Sequence, residues 1–159
     1  MIEKKIETSI LLGIYETAVL LIKKNIEFVA KQGLTNQQFV ILIHLAKDPN
    51  LPFFTREQHH KPMLALELAD SLGVTRANVT NLIKVLLEKK LIKQVEDKID
   101  RRKKRLTLSK RGEELIKKMQ PERLASNKDM LKGLTKTEKE HFVIYLEKVT
   151  KNILNHKNK

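Results

Sequence analysis

The sequence predicts a mainly α fold carrying one small β-hairpin. Three observations lead there. Ser and Thr caps open four amphipathic stretches, and apolar residues recur along them at helical spacing. Between residues 91 and 108 that period gives way to two short strand-like runs around a charged turn. At 159 residues, 41% hydrophobic and 32% charged, the chain is long enough to bury a core and short for two independent ones.

The first element is a long helix over about residues 4–31. Ile6, Ile10, Ile14, Leu21 and Val29 fall near one face, and Leu11, Leu20, Ile22, Ile26 and Phe28 widen it. That width suggests packing against more than its own chain. Gly33 ends the pattern, and Thr35 with Gln38 forms a capping box for a second helix, flanked by Leu34 and Phe39 at the staple positions. This helix runs through Val40, Leu42, Ile43 and Leu45 and stops before Pro49. Residues 49–62, with three prolines and no helical period, read as a loop.

Met63 to Leu72 is expected to be a short helix with Leu64, Leu68, Ala69 and Leu72 inward, ended by Gly73 as a left-handed cap. Thr75 then caps the next helix, Arg76 to Lys89 or Lys90, with Val74 and Val79 as its staple. Val79, Leu82, Ile83, Leu86 and Leu87 form its apolar back, and Ala77, Thr80, Asn81, Lys84 and Glu88 its front. A helix that enters a DNA major groove needs this division, with small and hydrogen-bonding residues near its N-terminal half. An ordinary solvated helix face fits that one helix equally well.

The next elements decide between them. Leu91–Glu96 and Lys103–Leu108 read as strands, Leu106 and Leu108 alternating inward, with Asp97 to Arg102 as a charged hairpin tip. Ser109 caps a further helix with Leu115, Ile116 and Met119 as its stripe. Helix, turn, helix and basic hairpin in that order make a winged helix-turn-helix, whose wing reaches backbone or minor groove. A last helix opens at a Thr135–Glu138 capping box and carries Phe142, Tyr145, Leu146, Val149 and Ile153. Apolar stripes at both ends are most simply covered by a symmetric dimer, with packing inside one chain as the alternative. The expected organisation is a helical dimerisation region, 1–33 and 120–159, around a DNA-binding region, 34–119.

Charge points to the same partner. The formal net charge is +13, from 32 Lys and Arg against 19 Asp and Glu, which favours a polyanion. Lys98 to Arg111 holds eight bases and one acid, +7 in fourteen residues. No Phe, Tyr or Trp occurs from Thr55 to His141, so the basic region lacks the stacking platforms of single-strand binders. Duplex DNA is the better-fitting anion. The residues expected at it are Thr75, Arg76, Ala77, Asn78, Thr80, Asn81 and Lys84 on the reading helix, and Lys98, Asp100, Arg101, Arg102, Lys103 and Lys104 on the wing.

Other classes are disfavoured. With no cysteine there is no disulfide, thiol switch or Cys-ligated metal site. His59 and His60 are adjacent, lack ligand spacing and read as solvated loop residues, so no metal and no cofactor is expected. No P-loop, G-x-S-x-G, H-E-x-x-H or dinucleotide fingerprint points to an enzyme. Apolar runs such as Ala18 to Ile22 are far too short for a membrane span, and Met1 to Lys5 has no apolar signal core, so a cytoplasmic location is expected. The runner-up is an architectural winged-helix protein that binds DNA without sequence preference. A protein-docking winged helix fits poorly with +7 in the wing segment.

The order of elements and two segments, LELADSLGVTRANVTNLIKVLLEKKLI from Leu66 and DRRKKRLTLSKRG from Asp100, resemble the MarR family of transcription regulators. In the family's wing pattern, Asp100 and Arg102 match its Asp-x-Arg pair, Leu108 and Ser109 the following step, and Gly112 the helix-opening glycine. The resemblance implies a homodimer whose terminal helices interlock over a pseudo-palindromic operator. It also implies a repressor released by a small phenolic or anionic effector. Asp100 would then hold Arg102 extended by a charge-assisted hydrogen bond, for insertion into the minor groove.

Overall fold

The structure is a computed structural model that describes residues 5–50, 63–72 and 74–156. Of the loop expected over 49–62, residues 51–62, with His59 and His60, lie outside the described residues, as does the expected Gly73 cap. The chain falls into two units, residues 1–41 and 42–159.

In the first unit, α1 spans Ile6–Ala30. Gly33 follows at φ +66°, the left-handed region that glycine enters without a Cβ penalty, and Leu34 N–H donates to Val29 O at 3.2 Å, closing the helix end. The predicted capping box then forms. Thr35 N–H donates to Gln38 Oε1 at 3.0 Å and Gln38 N–H to Thr35 Oγ1 at 3.2 Å. It opens α2, Asn36–Leu45. Phe28 and Phe39 meet edge to face, their rings 6.0 Å apart at 83°, the arrangement their quadrupoles favour. Much of α1 stays uncovered, with Ile6, Ile10, Leu11, Leu20, Leu21, Ile22 and Ile26 all exposed.

The second unit begins with the end of α2. Its sheet has β1 (Met63–Leu64), β2 (Ile92–Glu96) and β3 (Lys104–Leu108) in the antiparallel order β1-β3-β2. Between them lie α3 (Ala65–Leu72) and α4 (Arg76–Glu88). Met63 and Leu64 correct the expectation of a helix starting at Met63: they pair with Leu106 and Arg105 of β3. The reason is local as well as tertiary, because Leu64 N–H donates to Glu67 Oε2 at 2.7 Å, which caps the helix one residue later. The core gathers Met63, Leu68, Val79, Leu86, Leu106 and Leu108, all buried. Burial of each such large side chain contributes roughly 1.5–3 kcal/mol. Leu106 and Leu108 do alternate inward, as expected.

Ser109 caps α5 (Lys110–Met130), its Oγ accepting from Gly112 N–H at 3.0 Å and donating to Lys90 O at 2.6 Å. A Cβ on Gly112 would sit 2.1 Å from Leu91 O, so the glycine lets the first turn of α5 press on the α4–β2 turn. That turn is closed by Lys90 at φ +56°. The helix α5 runs unbroken through Pro121, so the residues on either side of position 120 share one rod. The Arg123 guanidinium is paired with the Asp48 carboxylate just past α2. The last helix, α6 (Lys136–His156), opens at the predicted Thr135–Glu138 box and buries no residue. Its Phe142, Val143, Tyr145 and Ile153 are exposed. No described helix is long and apolar enough to cross a membrane.

Candidate nucleic-acid interface

Thr75 opens α4, its Oγ1 accepting from Asn78 N–H at 3.3 Å. The Thr75 cap and the apolar spacing behind it fix which way the helix faces. Val79, Leu82, Ile83 and Leu86 are buried, while Thr75, Arg76, Ala77, Thr80, Asn81, Lys84 and Glu88 are exposed and Asn78 is half-buried. Thr80 donates its hydroxyl proton to Arg76 O at 2.9 Å, which leaves the oxygen outward as an acceptor. Asn81, one residue on, offers both amide functions to solvent. The face is polar, small near the N-terminus and cationic at Lys84.

The wing is the hairpin of β2 and β3, registered so that Ile92 faces Leu108 and Glu96 faces Lys104. Its tip is closed by Asp97 N–H donating to Lys103 O at 3.0 Å and Lys103 N–H to Asp100 O at 2.9 Å. Asp100 grips Arg102. Its Oδ1 accepts from both the backbone N–H and Nε of Arg102 at 3.1 Å. The Arg102 side chain bond, then its backbone N–H, hold the Asp100 carboxyl below its ordinary pKa. Lys98, Arg101, Lys103 and Lys104 are exposed around the pair. All the wing residues singled out by sequence therefore gather at one tip, and those of the reading helix share one exposed face apart from the half-buried Asn78.

Three residues were missed. Asp97 stands one position before the basic run, where the sequence marks only the start of the tip, yet it is buried. Its Oδ1 accepts from Ile99 N–H and Asp100 N–H, each at 2.8 Å, and its Oδ2 is paired with the Arg105 guanidinium. The Asp100 N–H, Arg105 and the Ile99 N–H hold its carboxyl well below the carboxylate range. Arg105 in turn lies 3.6 Å from Glu67 Oε2. By sequence Arg105 is one more base of the wing, but it lies between two carboxylates. The only sequence signal was an acid and a base placed so that the hairpin register brings them together.

The sequence profile of the MarR family matches residues 32–103. Among solved structures, the chain is similar to a MarR protein from Peptoclostridium difficile (23% identity, TM-score 0.76, covering 98% of this chain and 94% of that one). It is also similar to a MarR/EmrR family transcriptional regulator from Acinetobacter (22%, 0.75, 96% and 99%). A third likeness is to Staphylococcus aureus MepR in a DNA complex (19%, 0.70, 94% and 99%). At these identities the solved structures speak for the fold. Together with the profile match over residues 32–103, they show a winged helix-turn-helix fold similar to that of MarR-family transcription regulators.

Proposed function

We propose that this chain is a sequence-specific duplex-DNA-binding repressor that acts in the cytoplasm as a homodimer on a pseudo-palindromic operator. The observation that carries the reading is the pairing, on one winged helix, of a polar α4 front with a cationic tip where Asp100 holds an exposed Arg102. Asn81 pairs with a base edge, most favourably adenine, and Thr80 accepts or bridges beside it. Thr75, Arg76, Ala77 and Asn78 lie at the helix end that approaches the groove floor. Lys84, Lys98, Arg101, Lys103 and Lys104 neutralise phosphates, and Arg102 enters the minor groove, whose negative potential favours it.

Residues 1–33 and 120–159 form the dimer contact in this reading, supported by the exposed apolar side chains of α1 and α6. A small phenolic or anionic effector regulates it. Room for a ligand of that size exists in a cleft of about 510 Å³ lined by His44, Lys47, Met63, Leu106 and Ile116 among others. The test is binding of the full chain to mixed-sequence duplex and to the matching single strand as salt is raised. A dimer that neutralises about 6–10 phosphates loses roughly 10³–10⁵ in duplex affinity between about 50 and 200 mM salt. A flat response, or preference for the single strand, contradicts the reading.

A further inference from the structure

Arg105 sits in the central strand of the sheet, opposite Leu64 of β1 and Val95 of β2. Its side chain is 18% exposed and that of Asp97 only 6%, unlike the open cations at the tip. One oxygen of Asp97 shapes the turn by taking the Ile99 and Asp100 N–H groups, and the other takes the Arg105 guanidinium. Arg105 reaches onward to Glu67 Oε2 at 3.6 Å, the oxygen that also accepts Leu64 N–H at 2.7 Å where β1 turns into α3. The links are therefore continuous from the wing tip, through Asp97, Arg105 and Glu67, to the first helix of the helix-turn-helix. They also reach Arg102, because the Asp100 N–H is held by Asp97 while the Asp100 carboxylate holds Arg102.

We propose that Asp97, Arg105 and Glu67 are positioning residues that set the pose of the wing against the helix-turn-helix, so that Arg102 and the α4 face meet one duplex together. Arg105 then serves DNA binding from inside the wing and touches no phosphate. The inference rests on the DNA-binding reading for its binding consequence, and on the ion-pair geometry alone for its effect on the wing. A guanidinium spans two carboxylates because its Nε and NH1 point along different edges of one rigid plane. An ammonium is a single point charge and cannot reproduce that. Removing one member of the largely buried Asp97–Arg105 pair leaves the other with uncompensated charge.

The test uses the full chain and its variants Asp97→Asn, Arg105→Lys, Arg102→Ala and the double variant Asp97→Asn with Arg102→Ala. Two measurements are made: amide hydrogen exchange without DNA, and affinity for a mixed-sequence duplex of about 30 base pairs, long enough for two half-sites. Faster exchange at Ile99 and Asp100, with Leu82 to Leu86 unchanged, is expected in Asp97→Asn and Arg105→Lys. Both variants should bind the duplex more weakly, although the first removes a negative charge and the second keeps the positive one. Arg102→Ala should cost less in the Asp97→Asn background than in the parent, by roughly three- to tenfold, which a general loss of stability would not produce. Tighter binding by Asp97→Asn, parental behaviour of Arg105→Lys, or additive effects of Asp97→Asn and Arg102→Ala would overturn the proposal. If the parent itself does not bind the duplex, the DNA reading fails. Exchange then decides alone: faster exchange at Ile99 and Asp100 upholds the network, and unchanged exchange overturns it.

Discussion

Asp100 Oδ1 lies 3.1 Å from both the backbone nitrogen and Nε of Arg102, while the Arg102 side chain remains 92% exposed. The carboxylate holds the arginine at its backbone N–H and along the Nε–NH2 edge of its guanidinium, and leaves the rest of the group to solvent. An arginine so held loses less conformational freedom on docking than a free one.

Asp100→Ala should therefore weaken duplex binding even though it raises the net charge. Simple attraction predicts the opposite sign, because deleting an acid from a cationic tip strengthens its field. Fluorescence anisotropy titrations at matched salt separate the two. Tighter binding by the variant would remove the positioning role of Asp100.

Gly112→Ala should destabilise the fold by about 2–3 kcal/mol, the upper range for forcing a methyl into a filled space. The new Cβ would meet the Leu91 carbonyl oxygen at 2.1 Å, and that carbonyl also accepts Ser109 N–H at 3.0 Å. The clash is with backbone, so no side chain can rotate away. Urea unfolding of parent and variant checks it, and equal midpoints would mean that the α4–β2 turn yields.

Acid should loosen the wing through Asp97. Its carboxyl is held well below the ordinary carboxylate value by the Asp100 N–H, then Arg105, then the Ile99 N–H. A depressed folded-state pKa gives stability that is complete above the unfolded value, about 3.9, and is lost as pH falls toward the folded one. Arg105 from β3, Glu67 from α3 and Asp100 in the turn are the charged groups around it. The difference in melting temperature between the parent and Asp97→Asn should be full near about pH 6 and shrink below about pH 4. A difference that stays constant down to about pH 3 would contradict this assignment.

Deleting residues 136–159 should abolish dimerisation. Phe142, Val143, Tyr145 and Ile153 of α6 are exposed, an apolar surface that a second copy would cover. Sedimentation of the truncated and full chains reads the result directly. A full-length chain that sediments as a monomer, or a truncated one that remains a dimer, would count against the terminal helices as the interface.

The elements that were legible in the sequence are those set by local chemistry. Thr35 with Gln38, Thr75, Ser109, and Thr135 with Glu138 all cap helices as their spacing predicts, because the donor and acceptor lie within one turn. The buried back of α4 and the inward Leu106 and Leu108 follow from period alone. Met63–Leu64 was not legible, since two residues carry no period and their partner strand lies some forty positions on. Asp97 and Arg105 were hidden for the same reason, as only the hairpin register joins them. Charge counting treated Arg105 like its neighbours, and burial is what separates it from them.

Selection of bound duplexes from a random pool shows whether the two winged helices of a dimer read sequence. The expected result is a pseudo-palindromic winner whose half-sites lie about one or two helical turns apart. Repeated with Asn81→Ala, the selection should relax at one or two base pairs per half-site, a loss of about 1–3 kcal/mol of discrimination. The variants Lys84→Ala and Lys104→Ala should instead keep the same winner at lower affinity and with a shallower salt slope. A pool that emerges unenriched, with every duplex bound alike, would contradict the claim and leave a winged helix that coats DNA without reading it.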